Sequence, residues 1–477
     1  MDHIGTRFVL AAVLFCAGQP AAAQTLGRID FPTSGAPAAQ ERFLVGVGYL
    51  HNFEYDSAAA AFRDAQRIDS AFVMAYWGEA MTYTHPVWNE KDADAARAAL
   101  SRLGPTPEAR AAKAPTERER GYLRAVEVLY GEGEKARLDT LYADEMARLS
   151  AAYPDDDEAR SFHALALIGL SQAERVVPTY MRAGAIAQDV LRRNPEHPGA
   201  LHYAIHAFDD PTHAPLGLDA ARKYSQVAPD APHAQHMTTH IFLALGMWDE
   251  TISQNVIASG PDRDEWTPGH YTLWLLYGLV QAGRDDDARE LLEIARSNAL
   301  PRHARSLAWM TAHYLVDSER WDDPVAAWPV PLDGRGPMVA VGAFARAYAA
   351  LKRADAAEVE RWRAVLKERA AGPDAELEQI LAQMLAGAEA AAAGRTDEAV
   401  RVLTAAAEHE AAMPVEFGPP ALLKPVAELM GEVLLAAGRC EEAAAAFRRA
   451  LELQPGRRVS VRGLEASARC PAVRSGG

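Results

Sequence analysis

Small, apolar and polar positions recur along this chain at helical spacing, with almost no strict alternation. Gly431, Leu434, Gly438, Ala443, Phe447, Ala450 and Pro455 follow one another at intervals of 3, 4, 5, 4, 3 and 5. Gly387, Ala390, Gly394, Ala399, Leu403 and Ala406 repeat those intervals, and so do Gly46, Tyr49, Phe53, Ala58, Phe62 and Ala65. Gly283, Ala288, Leu292 and Ala295 supply part of a fourth copy. Steps of three and four place the apolar residues on one helix face, so each copy predicts two helices joined at the central turn. Small residues let the two helices approach, leucine and aromatic knobs fill the seam, and proline ends the unit. A single hairpin of this kind cannot bury its apolar face, which predicts a stack of hairpins in one all-α domain. The proline-bearing segments Gly104–Pro115, Asp209–Pro215, Pro329–Pro337 and Pro414–Pro425 read as loops within that stack.

These intervals resemble the tetratricopeptide repeat. The resemblance implies a tetratricopeptide-type helical-hairpin solenoid, a right-handed superhelix with a concave groove, over residues 39–470, with its histidine-rich part at about 195–284. Residues 24–38, rich in Gly, Pro and Ser, read as a flexible N-terminal segment, and 471–477 as a flexible tail. Composition agrees with helices: 49% of the chain is apolar, and that share leans on alanine with few Val/Ile runs.

The first residues change the compartment. Arg7 precedes an apolar run from Phe8 to Gly18, and Ala21, Ala22 and Ala23 precede Gln24, the pattern of an export signal cut after Ala23, giving domain 1–23 as a signal peptide. The mature chain is then expected in the periplasm or outside the cell, and no later segment reads as a membrane span. Export leaves Cys440 and Cys470, and in an oxidising compartment a disulfide between them is expected. Asp2 and Arg7 cancel, so the net charge of −16 is unchanged by cleavage, which argues against nucleic acid as a partner.

Candidate chemistry lies in two histidine pairs, His202 with His206 and His236 with His240, each spaced by four. That spacing puts both imidazoles on one helix face about 5–6 Å apart at Cβ, a bidentate clamp for a metal. In the tetratricopeptide pattern the groove is lined by the first helix of each hairpin, 13, 10, 6, 3 and 2 residues ahead of the turn. With Gly246 as a turn, His233, His236 and His240 lie 13, 10 and 6 ahead. With a turn near Thr212, anchored by Pro195, His202 and His206 lie 10 and 6 ahead, and His270 lies 13 ahead of Gly283. Neighbouring first helices pack at about 8–10 Å, close enough for the two pairs to share one ion as a four-imidazole site, with His233 and His270 as additional ligands.

His51, Glu79 and His85 are further groove candidates, and Glu79 is a candidate general base if the site is catalytic. Asp209 and Asp210 are candidates to hold the distal nitrogens of His202 or His206, with His213 beside them, or else to act as a helix cap and turn signal. An all-imidazole set suits zinc or copper, then iron, over calcium or magnesium. No nucleophile elbow, phosphate loop or zinc-protease motif names a reaction, so whether the chain is an enzyme stays open.

The run Tyr76, Trp77, Gly78, Glu79, Ala80 and Met81, the set His85, Pro86 and Trp88, and the histidines from His197 through His213 resemble a group of exported bacterial tetratricopeptide proteins with a histidine-rich middle. The likeness continues at His236, Met237, His240, Ile241, His270, Trp274, Leu275 and Tyr277, covering roughly residues 43–284. Thr238 and Thr239 depart from the proline and serine the pattern implies between the histidines. The resemblance implies the fold and marks the histidines as the group's motif, and it carries no biochemical role. Two functions follow: an exported repeat protein with a histidine-rich transition-metal site in its groove, or a metal-free periplasmic scaffold whose groove takes a protein or peptide partner.

Overall fold

The structure is a computed structural model, and it describes residues 25–170, 175–332, 337–372, 375–414 and 417–470. The expected export signal at 1–23 and the tail at 471–477 lie outside the described residues. Helices succeed one another along the whole chain, and each packs on the next: Pro37–His51 on Tyr55–Ile68, Pro198–Phe208 on Ala214–Val227, Pro232–Ala244 on Trp248–Ala258, and Val426–Ala436 on Cys440–Leu453. Among the described residues the strands are two dipeptides, Thr84–His85 and Glu90–Lys91, paired antiparallel around Pro86–Trp88. This small ribbon stands where His85, Pro86 and Trp88 alone read as the end of a helix; Val73–Met81 has already closed.

The repeat intervals map onto physical contacts. Gly46 and Gly78 both face the buried Phe62 ring, Gly387 faces Leu403, and Gly431 faces Phe447, so the small position and the knob of each copy meet in the seam. The turn position takes a left-handed backbone in every copy: Gly246, Gly283, Gly394 and Gly438 have φ of +70°, +77°, +76° and +74°. Glycine adopts that region without steric cost. In the first hairpin Phe53 holds the same position with φ +56°, a conformation that a bulky side chain adopts at a cost of about 1–3 kcal/mol.

Two features depart from the sequence reading. Residues 25–36, expected to be mobile, are packed: Phe31 is buried against Phe43, Trp77 and Tyr122, Ser34 donates to Glu119, and the Arg28 amide donates to the Glu196 carbonyl. Its few apolar residues are spaced to dock, which composition does not register. The end of the chain also returns onto the middle hairpins, which the repeat intervals do not predict. Arg457, fully buried, donates to Asp317 at 2.6 Å and to Glu428 at 2.8 Å and reaches the Tyr277 hydroxyl at 3.3 Å. Trp248 donates to the Gly456 carbonyl, and Arg458 pairs with Asp285. Cys440 and Cys470 are joined by the expected disulfide across the last hairpin, Cα to Cα 6.1 Å.

An alanine Cβ at Gly46 would stand 2.7 Å from the Phe62 ring, which is itself packed with no free side. Gly46→Ala should lower the unfolding free energy by about 1–3 kcal/mol, read from the denaturant midpoint, whereas an unchanged midpoint would show that the seam has slack.

Candidate metal centre

Six imidazoles sort into two triads, and the repeat builds both by the same rule. His202 and His206 on Pro198–Phe208 are completed by His233 at the start of Pro232–Ala244; His236 and His240 on Pro232–Ala244 are completed by His270 at the start of His270–Gln281. In each triad one ligand nitrogen per histidine lies within 4.8 Å of the others. The grouping is thus two triads and not one set of four with two additional ligands, an arrangement open to a chain with more imidazoles than one ion needs. Each HxxxH pair finds its third partner from the position 13 ahead of the turn in the next hairpin, and the two pairs serve separate triads.

The protons are placed by the surroundings. His202 Nδ1–H donates to the His51 carbonyl at 2.7 Å, which leaves the lone pair on Nε2. His236 Nδ1–H donates to Asn255 Oδ1 at 2.8 Å, and the Asn255 amide is turned by its own bond to the Thr251 carbonyl. His240 Nδ1–H donates to the Asp209 carboxylate. The Nε2 atoms of His202, His206 and His233 are buried and have no hydrogen-bond partner. In the second triad the Nε2 atoms of His236 and His240 face each other at 3.1 Å, two lone pairs pointed at one place. Buried polar atoms are satisfied in the great majority of proteins, so three partnerless Nε2 atoms in one triad and a facing Nε2 pair in the other stand out as candidates to meet a cation.

Burial, and then the neighbouring imidazoles, push the pKa values of His202, His206, His233 and His236 well below the usual histidine range. Crowding by neighbouring atoms and His240 brings His270, at the exposed rim, down to about 4. Neutral rings at neutral pH are the form that ligates metal. An aromatic ring covers each triad. Phe53 lies 4.2 Å from His202 and 5.6 Å from His233, ring centre to ring centre, and Trp274 stacks on His240 at 4.3 Å and on His236 edgewise at 4.8 Å. Phe417, from the loop after Glu376–Ala392 and Thr396–Ala412, closes over His240 at 5.7 Å.

The remaining candidates take other roles. Asp209 does hold a ligand's distal nitrogen, but that ligand is His240 and not His202 or His206. Asp210 caps the loop, accepting from the Thr212 and His213 amides and from Arg175, and it pairs with the His213 ring, so His213 stands in the loop apart from the triads. His51 lends its carbonyl to His202 while its ring donates to Glu158 at 2.6 Å and accepts from the Tyr203 hydroxyl at 2.8 Å. His85 stacks on Tyr55 at 4.0 Å and contacts the Thr82 carbonyl. Glu79 is corrected as a general base: Arg63, Arg102 and Gln66 occupy its carboxylate, and no imidazole of the triads touches it.

His51, Glu158 and His197 form a third buried group. His197 Nδ1 accepts from the Ala200 amide, so its proton faces Glu158 Oε1 at 3.1 Å. Burial alone would raise the Glu158 carboxyl, and the two imidazoles instead hold it far below the usual carboxylate range. The two imidazoles flank the carboxylate, and the group braces the His51 end of Pro37–His51. Spacing did not reveal His197 and Glu158 as this brace, nor Asn255. Phe53 had a visible signal, a bulky residue at a turn position where the other copies carry glycine.

No protein-family profile matches the chain, and no characterised protein matches its sequence. Among solved structures it is similar to the APC/C hetero-tetramer Cut9-Hcn1 at 13% identity, over 92% of this chain and 78% of that chain, with a TM-score of 0.33. It is similar to the P58(IPK) TPR domain at 13% identity over 91% and 98%, TM-score 0.23, and to yeast Tom70 at 11% identity over 91% and 95%, TM-score 0.32. These values carry no argument about the site. The hairpin stack and its turn geometry define the class, a tetratricopeptide-type helical repeat protein. Among the described residues no helix is long and apolar enough to cross a membrane.

Because the folded chain keeps these imidazoles neutral, it binds fewer protons than the unfolded chain below the ordinary histidine pKa of about 6.5. Stability of the metal-free protein is thus full above that pH and falls as the pH drops toward about 4, the value at His270. Thermal melts between pH 7.5 and 4.5 should show this fall, and a flat profile would contradict the assigned neutral rings.

Proposed function

We propose that this chain is an exported repeat protein that binds first-row transition metal ions through its two tri-imidazole sites. His202, His206 and His233 ligate one ion, and His236, His240 and His270 ligate the other, with Asp209, Asn255 and the His51 carbonyl fixing ring orientation. The observation that carries this reading is the set of buried, donorless Nε2 atoms of His202, His206 and His233. Leaving three such acceptors without a partner costs on the order of 1–3 kcal/mol each, a cost a bound cation removes. Zinc or copper fits all-nitrogen, three-ligand sets better than iron, and three protein ligands leave a tetrahedral ion a fourth position for another ligand. The export signal at 1–23 supports a periplasmic or extracellular place of action.

The chain purified without an affinity tag should carry near-stoichiometric transition metal by elemental analysis. Changing His202, His206, His236 and His240 to alanine together should remove it and lower the melting temperature of the metal-loaded protein toward that of the metal-free one. A wild-type chain that takes up no zinc, copper or iron after equilibration with each would overturn the reading.

A further inference from the structure

The two triads are adjacent, and their shared surroundings constrain which ions they hold together. Within a triad, ring centres stand 4.9 Å (His202 and His206), 5.1 Å (His202 and His233), 5.0 Å (His236 and His240) and 4.4 Å (His236 and His270) apart. Across the boundary His206 lies 5.8 Å from His240 and His233 lies 6.2 Å from His236, little more than the spacing inside each triad. The six imidazoles form one chamber with two binding positions side by side.

Charge then decides among the metals. All six ligands are neutral, and no carboxylate or thiolate is among them. The carboxylate bound to a ligand ring is that of Asp209, through His240, and the apolar rings of Phe53 and Trp274 lie against His202 and His240. Two divalent ions would place four positive charges in this buried chamber, against two for a monovalent pair. Uncompensated buried charge is among the costliest features a fold can carry. A three-nitrogen set with no fourth protein ligand also suits the three-coordinate preference of a d10 monovalent ion, and among imidazole-binding metals that ion is copper(I).

We propose that the chamber holds a pair of cuprous ions and that the ligand taken by the pair is dioxygen. This deepens the metal-binding reading and rests on it. Each cuprous ion would supply one electron, so that O2 gains two electrons and its bond order falls from two to one, and the two negative charges it gains would keep the net charge of the pair with its ligand at the two positive charges it began with. No bond to carbon changes, and this single event needs no outside reductant. Dioxygen is small and neutral, so it needs no charged partner to reach positions walled by Phe53 and Trp274. The exposed rim at His270 gives it a way in.

The test uses the mature full-length chain, loaded under nitrogen with a cuprous salt, stripped of loose copper, and then exposed to a known amount of O2. The expected result is about two copper ions per chain, with one O2 consumed for every two coppers. The resulting cupric pair should give little or no electron paramagnetic resonance signal, because two adjacent spins couple. His270→Ala, a change at the exposed rim that leaves the core packing in place, should keep the inner copper, lose the outer one and abolish the two-electron O2 uptake. Two coppers that bind and then fail to consume O2, or that oxidise to two separate cupric signals, overturn this inference while leaving the metal site standing. Binding of zinc with no retention of copper does the same. Failure to bind any of these ions sinks both readings.

Discussion

The centre of this molecule depends on where three imidazole lone pairs are made to point. Once Nδ1–H of His202, His236 and His240 is committed to the His51 carbonyl, Asn255 and Asp209, the opposite nitrogens carry lone pairs inside the protein. No donor meets them. A fold that buries such groups spends stability on them unless a cation meets them. The Glu158 brace holds the His51 end of Pro37–His51, aromatic rings cover the triads, and the Arg457 network draws the end of the chain over the middle hairpins.

The repeat explains why there are two sites. A first helix offers its 10 and 6 positions to its own triad and its 13 position to the triad before it, so Pro232–Ala244, carrying all three, belongs to both. The series stops at either end for steric and chemical reasons. On the next helix the 10 and 6 positions are Leu273 and Tyr277, both buried in the core. On the preceding one the 13 position is Gly199, where any side chain would collide with the His51 ring. Phe53 shows the same economy from the other direction: the first hairpin accepts a strained turn at φ +56°, and the ring so placed seals the inner triad.

Much of this was legible in the sequence because helical spacing is local. The intervals through Gly431, Gly387 and Gly46 gave the hairpins, and counting back from Gly246, Gly283 and Thr212 found all six imidazoles of the two triads. Partition was the part that counting could not give. Assigning His233 to the pair on the previous helix depends on the sideways step between hairpins, a tertiary quantity. Glu79 and His51 share the inward-facing pattern, yet Arg63 and Arg102 claim the first and Glu158 the second, through residues far apart in the chain. The return of the chain end onto the middle hairpins likewise depends on Arg457 meeting Asp317 and Glu428, contacts over separations of 140 and 29 residues that no local pattern encodes.

X-ray absorption at the metal edge of the loaded protein tests the central claim most directly, since it reads the atoms bound to the ion itself. The account predicts a first shell of nitrogen only, about three imidazoles per ion with their outer-ring scattering and no sulfur or carboxylate contribution from the protein. A shell dominated by oxygen, or one containing sulfur, would place the metal elsewhere and leave the two triads as unexplained buried histidines.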